Sequence, residues 1–97
     1  MTELNPVIHA PIRLRLCSAL SAVDAAEFHT LRDHLDVADS VLSKHTSTLV
    51  DAGYVTTKKD TIAGRRTTWI SLTRPGRKAL QQHLRALREL IETVENP

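Results

Sequence analysis

Residues in the middle of the chain divide into an inward and an outward stripe at the spacing of an α-helix. The inward stripe is formed by Leu42, His45, Leu49 and Ala52. Steps of three and four residues predict a helix over about residues 39–52. Asp39 or Ser40 is expected to cap its first turn, and Gly53 is expected to end it in a left-handed conformation.

The outward stripe of this helix carries only small polar side chains and one cation. Its members are Ser40, Ser43, Lys44 and Ser47. Such a face can approach another polar surface closely, and the major groove of DNA, about 12 Å wide and lined by donors and acceptors, is one. The same pattern is also typical of the solvated face of an ordinary amphipathic helix. The patterns of the neighbouring segments are needed to choose between these two interpretations.

A shorter helix is predicted just before this one. Leu31 and Leu35 are four residues apart in a segment that starts at His29, and His29 or Thr30 is expected to cap it. A brief turn then leads into the central helix. Residues 28–53 therefore predict a helix-turn-helix.

The N-terminal part of the chain predicts one long helix that begins at Pro11. Residues 12–23 give it a wide apolar face, and residues 24–27 are expected to form a plain connection. Residues 1–5 are expected to fray, although Asn5 stands directly before a proline, as a helix cap does.

After Gly53 the pattern changes from a helical period to strict alternation. Residues 54–59 and 67–72 are rich in β-branched side chains and alternate as strands do. The segment 60–66 between them is expected to be a turn-prone, basic link. Residues 54–72 therefore predict a β-hairpin.

The last helix is predicted over residues 74–94, with Thr73 as its cap and Pro75 in its first turn. Steps of four, three, four and three residues give it a coiled-coil seam, formed by Leu80, Leu84, Leu87, Ile91 and Val94. We expect its first part to pack on the domain and the rest on a second copy in a two-fold homodimer. The alternative is a seam that packs against the first helix of the same chain.

The chain has 97 residues, the size of one domain, and its net charge is only +2. The charge is unevenly distributed, with −3 over residues 1–57 and +5 over residues 58–97. Residues 58–78 alone contain seven cations and one acid. This asymmetry favours a polyanionic partner, although a run of charges is also typical of a solvated surface.

The sequence indicates neither an enzyme nor a membrane protein. It has no apolar run of about 18 residues, no glycine-rich phosphate loop and no motif that joins its five histidines to carboxylates. The single cysteine, Cys17, rules out an internal disulfide and fits a reducing, cytoplasmic environment. No metal or other cofactor is expected, since no dense Cys/His cluster is present.

Three segments carry a resemblance to a known family. They are residues 42–55, residues 64–67 (Gly-Arg-Arg-Thr) and residues 72–79 (Leu-Thr-Arg-Pro-Gly-Arg-Lys-Ala). In this order and spacing, from about Pro11 to Ile91, the chain resembles a short, single-domain branch of the MarR-like winged-helix regulators.

The resemblance implies one winged-helix domain over the whole chain, 1–97. Its fold would be mainly α with a small β-hairpin (α+β), a winged helix-turn-helix with long N- and C-terminal helices. Its function would be that of a dimeric bacterial transcription factor, usually a repressor, bound to a palindromic operator in double-stranded DNA.

The resemblance also implies which residues would contact DNA. On the recognition helix, bases and phosphates would be contacted by Ser40, Ser43, Lys44 and Ser47. On the wing, over residues 58–67, Arg65 would enter an A·T-rich minor groove. Phosphates would be contacted by Lys58, Lys59 and Arg66. Thr30, near the start of the preceding helix, would contact the DNA backbone.

The chain departs from the family pattern in several places. Thr46 stands where the family usually has an apolar residue, which predicts looser packing of the recognition helix. Asp33, Asp36 and Asp39 lie close to the expected path of DNA and would weaken nonspecific binding. The chain also lacks the added helices that build the effector pocket of longer relatives, so no small-molecule effector is evident.

Two other functions stay open at this stage. One is a winged helix that binds an acidic protein through its basic wing. The other is a repressor that responds to a metal through histidines or to oxidation through Cys17.

Overall fold

Five helices and three strands follow one another in the computed structural model, which describes residues 3–96. In chain order they are α1 (Pro6–His9), α2 (Pro11–Ser21), β1 (Ala26–Glu27), α3 (Phe28–Leu35), α4 (Asp39–Asp51), β2 (Val55–Ile62), β3 (Arg65–Leu72) and α5 (Arg74–Glu95). The three strands form one antiparallel sheet in the order β1-β3-β2. The expected fold class, mainly helical with a small β-sheet, is confirmed. Between residues 3 and 96, no helix has the length and apolar character needed to cross a membrane.

The core is built from aliphatic side chains of all the helices and of β2 and β3. Its fully buried members include Ile8, Leu16, Leu20, Leu42, Leu49 and Ile70. Leu80 on α5 is 3% exposed and completes this core from the C-terminal side. The N-terminal segment contributes to it as well, since Ile8 on α1 has no exposed surface.

The N-terminus is ordered from its first helix onward. The side-chain oxygen of Asn5 accepts hydrogen bonds from the backbone N–H groups of Val7 and Ile8, at 3.0 and 3.3 Å, and so caps α1. Fraying up to residue 5 is therefore a wrong expectation at Asn5, while residues 1 and 2 lie outside the described residues. The predicted role of Asn5 as a helix cap is confirmed.

The expected connection over residues 24–27 contains a short strand. Ala26 and Glu27 pair with Ile70 and Trp69 on the free edge of β3. The carboxylate of Glu27 then accepts a hydrogen bond from the N–H of Thr30 at 3.0 Å and caps α3. The expected caps, His29 and Thr30, are wrong because a residue outside the predicted helix supplies the acceptor.

Helix α4 begins without a side-chain cap, because its N-cap is Ala38. Asp39 instead accepts a hydrogen bond from the guanidinium of Arg32 at 2.9 Å, so the predicted cap at Asp39 or Ser40 is wrong. The buried residues of the helix are Leu42, Thr46 and Leu49. His45 is half-buried and Ala52 is exposed, so the inward stripe is centred on Thr46 rather than on its predicted neighbours.

Thr46 is a buried polar residue on the inward side of α4. Its hydroxyl oxygen has no hydrogen-bond partner within residues 3–96. A buried hydroxyl without a partner costs about 1–3 kcal/mol. The looser packing of the helix that the sequence predicts at this position stays a prediction.

The hairpin strands extend almost to its tip. Their pairing runs from Val55 opposite Leu72 to Ile62 opposite Arg65. The expected link over residues 60–66 is therefore mostly strand, and only two residues, Ala63 and Gly64, form the turn. Both have positive φ, 52° and 77°, which is the geometry of the type I′ turn that matches strand twist.

Helix α5 starts where two backbone segments pass very close to each other. The hydroxyl of Thr73 accepts a hydrogen bond from the N–H of Gly76 at 3.0 Å, as its predicted cap role requires. A Cβ atom placed on Gly76 would lie 2.0 Å from the carbonyl oxygen of Tyr54. Only glycine fits here, because the obstacle is backbone that cannot move aside.

Replacing Gly76 with alanine is therefore expected to lower the free energy of unfolding by about 1–3 kcal/mol. In an unobstructed helix the same exchange raises it by about 1 kcal/mol, so the sign of the change identifies the backbone contact. Urea unfolding followed by circular dichroism measures it. Lys78→Ala, at an exposed position on the same helix, serves as the control and is expected to change little. A Gly76→Ala variant that is as stable as the wild type would contradict the packing described here.

Candidate nucleic-acid interface

The outer face of α4 presents the four side chains that the sequence indicated. Ser40, Ser43, Lys44 and Ser47 are all exposed. The helix is held from below by Leu42 and Leu49, which have no exposed surface. A polar ridge on a firmly anchored helix is the kind of element that can enter a groove of DNA.

The register of the hairpin separates its four cations into two pairs. Lys59 lies opposite Thr68, and it shares a sheet face with the buried Val55, four residues earlier. Arg66 shares that same face with the buried Ile70. These two cations therefore lie on the side of the sheet that packs on the helices.

Lys58 and Arg65 lie on the opposite face of the hairpin. Lys58 pairs with Trp69, and Arg65 pairs with Ile62 next to the turn. Counting strand alternation from Val55 would have separated the two pairs, since side chains two residues apart share a face. All four cations were predicted to lie on the wing, without a distinction between its two faces.

A groove with a volume of about 520 Å³ lies between the helix-turn-helix and the inner face of the hairpin. It is lined by Phe28, His29, Ser43, Thr46, Ser47, Thr57, Lys59, Arg66 and Thr68. Two serines of the outer face of α4 and the two inner cations of the hairpin thus border the same concave surface. Hydroxyl donors combined with cations are suited to phosphate oxygens.

The backbone N–H of Thr30, at the start of α3, already has a partner within the chain. It donates to the carboxylate of Glu27, which also lies 3.2 Å from Nδ1 of His29. The N-terminus of α3 therefore holds an anion from its own chain. Only the exposed side chain of Thr30 is left for a contact with DNA.

Two of the three acids near the expected DNA path are paired within the chain. Arg32 donates to Asp33 at 3.0 Å and to Asp39 at 2.9 Å. The hydrogen bond to Asp39, followed by the one to Asp33, raises the pKa of Arg32 above its usual value. Because one cation serves both carboxylates, their repulsion of DNA is smaller than the sequence suggests.

Cys17 is packed as a core residue. It has no exposed surface, and burial raises the pKa of its thiol to about 11, against a smaller lowering by the charge of Arg13. The thiol is therefore protonated at neutral pH and poorly reactive. This placement weighs against the oxidation-responsive alternative.

His45 joins α4 to the N-terminal helices. Its Nδ1 lies 3.0 Å from Nη1 of Arg13, whose Nε donates to the carbonyl oxygen of Val7. A guanidinium can only donate, so His45 accepts and is neutral. Burial, and then the charges of Arg13 and Lys44, lower its pKa. No cluster of three or more potential metal ligands is found among residues 3–96.

The predicted seam of α5 divides along its length. Leu80 belongs to the core of the monomer, so it is not available to a second copy, and Leu84 packs partly against that core. Leu87 is half-buried, whereas Ile91 and Val94 are 53% and 76% exposed. Leu90, which the heptad spacing did not include, is exposed as well.

Comparison with known families and sequences finds matches that cover most of the chain. Residues 12–91 match a family described as the winged helix DNA-binding domain. The chain is 29% identical, over 92% of its length and 97% of the relative's, to the uncharacterized protein MJ0432 of Methanocaldococcus jannaschii.

Solved structures of regulators show the same fold. A transcriptional regulator homologue from Pyrococcus horikoshii OT3 matches with a TM-score of 0.85 and 27% identity, over 91% of this chain and 87% of that one. A possible transcriptional regulator for arsenical resistance matches with a TM-score of 0.64 and 31% identity, over 89% and 80%.

Proposed function

Because the chain belongs to the winged helix DNA-binding domain family, we propose that it is a homodimeric repressor that binds a palindromic site in double-stranded DNA. The resemblance to MarR-like winged-helix regulators that the sequence motifs indicate is confirmed. A family of DNA-binding domains also favours the expectation that the chain is not an enzyme.

The groove between α4 and the hairpin carries the proposal. When a recognition helix lies in the major groove and a wing reaches the adjacent minor groove, the phosphate strand between the two grooves passes between helix and wing. Lys59 and Arg66 line this passage together with Ser43 and Ser47. In the proposed complex these four side chains hold the strand, and the exposed Lys44 contacts a phosphate or a guanine edge.

The other residues of the proposed interface lie around this centre. Ser40 is exposed in the first turn of α4 and would supply an adaptable hydrogen bond. Arg65 borders the turn of the hairpin and would enter the minor groove, where an A·T-rich sequence concentrates negative potential. Lys58, on the other face, would contact a phosphate further along the backbone, and Thr30 would contribute only its hydroxyl.

We propose that the dimer forms through the C-terminal half of α5. This helix has 22 residues and is about 33 Å long, and its last turns expose Leu90, Ile91 and Val94 next to Leu87. A second copy of the same helix can cover such a self-complementary strip through a two-fold axis. Two recognition helices about 34–36 Å apart would then enter successive major grooves and occlude a promoter.

The first experiment is a selection of binding sites from random-sequence DNA, combined with a salt titration of the affinity. We expect one palindromic sequence to be enriched and the affinity to fall steeply with salt. Weak binding without an enriched sequence would contradict the proposal and favour an acidic protein partner for the same cations.

Matched substitutions on the hairpin test the two faces separately. Lys59→Ala and Arg66→Ala are each expected to weaken binding to every DNA sequence and to reduce the slope of log K against log salt by about 1. Lys58→Ala, one residue away on the other face, is expected to have a smaller effect. Equal effects of Lys58→Ala and Lys59→Ala would contradict the proposed path of the DNA strand.

Arg65→Ala tests the minor-groove contact by its dependence on sequence. Its loss is expected to weaken binding most at sites with A·T-rich flanks, because the potential that attracts the guanidinium is strongest there. Affinities for one operator with A·T-rich and with G·C-rich flanks measure this difference. A loss that is the same on both flanks would assign Arg65 to the backbone instead.

Ile91→Asp tests the dimer without disturbing the core of the monomer, since this side chain is 53% exposed. A carboxylate in the apolar strip is expected to produce monomers at concentrations where the wild type sediments as a dimer. Arg85→Asp, at an exposed position on the same helix, is the control and is expected to stay dimeric. An Ile91→Asp variant that remains dimeric would move the interface elsewhere.

A further inference from the structure

A fully buried histidine connects α5 to the N-terminal segment. His83 has no exposed surface. The backbone N–H of Asn5 donates to its Nδ1 at 2.9 Å, and its Nε2 lies 3.2 Å from Nδ1 of His9. A buried histidine with a contact on both ring nitrogens has a defined protonation state.

That state is neutral, with the proton on Nε2. A backbone N–H can only donate, so Nδ1 of His83 must accept and Nε2 carries the hydrogen, which is donated to Nδ1 of His9. A second proton on His83 would place a donor against the N–H of Asn5. A proton on Nδ1 of His9 would likewise place a donor against Nε2 of His83.

Asn5 extends this contact to the junction between α4 and the hairpin. Its side-chain amide donates to the hydroxyl of Tyr54 at 2.9 Å. Tyr54 stands between the end of α4 and the start of β2, and its carbonyl oxygen accepts the N–H of Thr73 at 3.0 Å. One residue of the N-terminal segment thus bridges α5 and the connection between the recognition helix and the wing.

We propose that Asn5 and His83 form a latch that holds this junction on α5 only while His83 is neutral. Opening of the latch releases the N-terminal segment and loosens the position of α4 relative to α5. Its effect on DNA rests on the proposed function, in which α5 sets the spacing of two recognition helices. The latch itself does not depend on that function.

The surroundings of His83 set the direction of its response to pH. The ring of His9 on α1 contacts His83, and the hydroxyl of Tyr54 is linked to it through Asn5. Glu3 lines the same surface pocket as His83. Burial, and then the charge of His9, lower the pKa of His83 from the usual 6.5. Because the unfolded chain binds the proton more readily, the contribution of His83 to stability is complete above about pH 6.5 and decreases as the pH falls below it.

The latch is tested by NMR on the full chain without DNA, between pH 8 and 5. The amide signal of Asn5 and the ring signals of His83 are expected to change with the same midpoint, below pH 6.5. His83→Asn retains an amide oxygen near the position of Nδ1 and cannot titrate, so it is expected to abolish the Asn5 transition. His34→Asn, at an exposed histidine on α3, is the control and should leave the transition intact.

An Asn5 signal that stays constant while His83 titrates would overturn the latch, as would a transition that persists in His83→Asn. If His83→Asn does not fold, His9→Gln keeps an acceptor for Nε2 of His83 and removes the imidazole whose charge lowers the pKa of His83. This change is expected to move the midpoint to higher pH, and an unchanged midpoint would contradict the proposal.

Binding to the selected operator tests the coupling to DNA. Acidification from pH 7.5 to 5.5 is expected to weaken binding by the wild type about tenfold more than binding by His83→Asn, within the usual range of coupling between sites. The other four histidines are present in both proteins, so the difference between the two reports the exchange at position 83. The same pH dependence in both would overturn the coupling, whereas absence of DNA binding at every pH would contradict the proposed function alone.

Discussion

The close contact between Gly76 and the carbonyl group of Tyr54 holds the functional parts of this chain together. At this point α4 ends, the hairpin begins and α5 starts. The hydroxyl of Thr73 donates to the carbonyl oxygen of Gly53 at 2.7 Å, and its N–H donates to that of Tyr54 at 3.0 Å. The two backbone segments can approach so closely only because Gly76 has no side chain. The connection between the end of α4 and the start of α5 is therefore held by backbone contacts that leave no room for a side chain at position 76.

The cations of this chain divide into those that support the fold and those that are free to bind. Arg77 donates to the carbonyl oxygens of Ser21 and Val23 and so closes the C-terminal end of α2. Arg13 bonds to the carbonyl of Val7 and to His45, and Arg32 is shared between two carboxylates. Fewer cations are therefore available to bind a polyanion than the number of Lys and Arg residues in the sequence indicates. Of the four cations on the hairpin, Lys59 and Arg66 line the groove beside α4.

The interface and the latch are linked through the same junction. Tyr54 is held on one side by the start of α5 and on the other by Asn5, which depends on the neutral His83. A change in protonation at a site away from the outer face of α4 can therefore alter how that face is held.

Features that depend on neighbouring residues can be predicted from the amino-acid sequence alone. The stripe through Leu42 and Leu49, the cap at Thr73 and the alternation of the hairpin strands follow from local period and local hydrogen bonding. These features were sufficient to predict the helix-turn-helix, the wing and the fold class. They also identified the exposed face of α4, because the opposite stripe of a buried helix faces solvent.

Features that depend on residues far apart in the chain become visible once the elements are packed together. Glu27 caps α3 because the edge of β3 draws the preceding residues into a strand, and two residues are too few to show a period. Leu80 enters the core while Ile91 stays exposed, although both occupy the same heptad seam. The contact between Asn5 and His83 joins residues 78 positions apart. Such pairs form when packing brings separate elements together, and no local pattern in either segment encodes the partner.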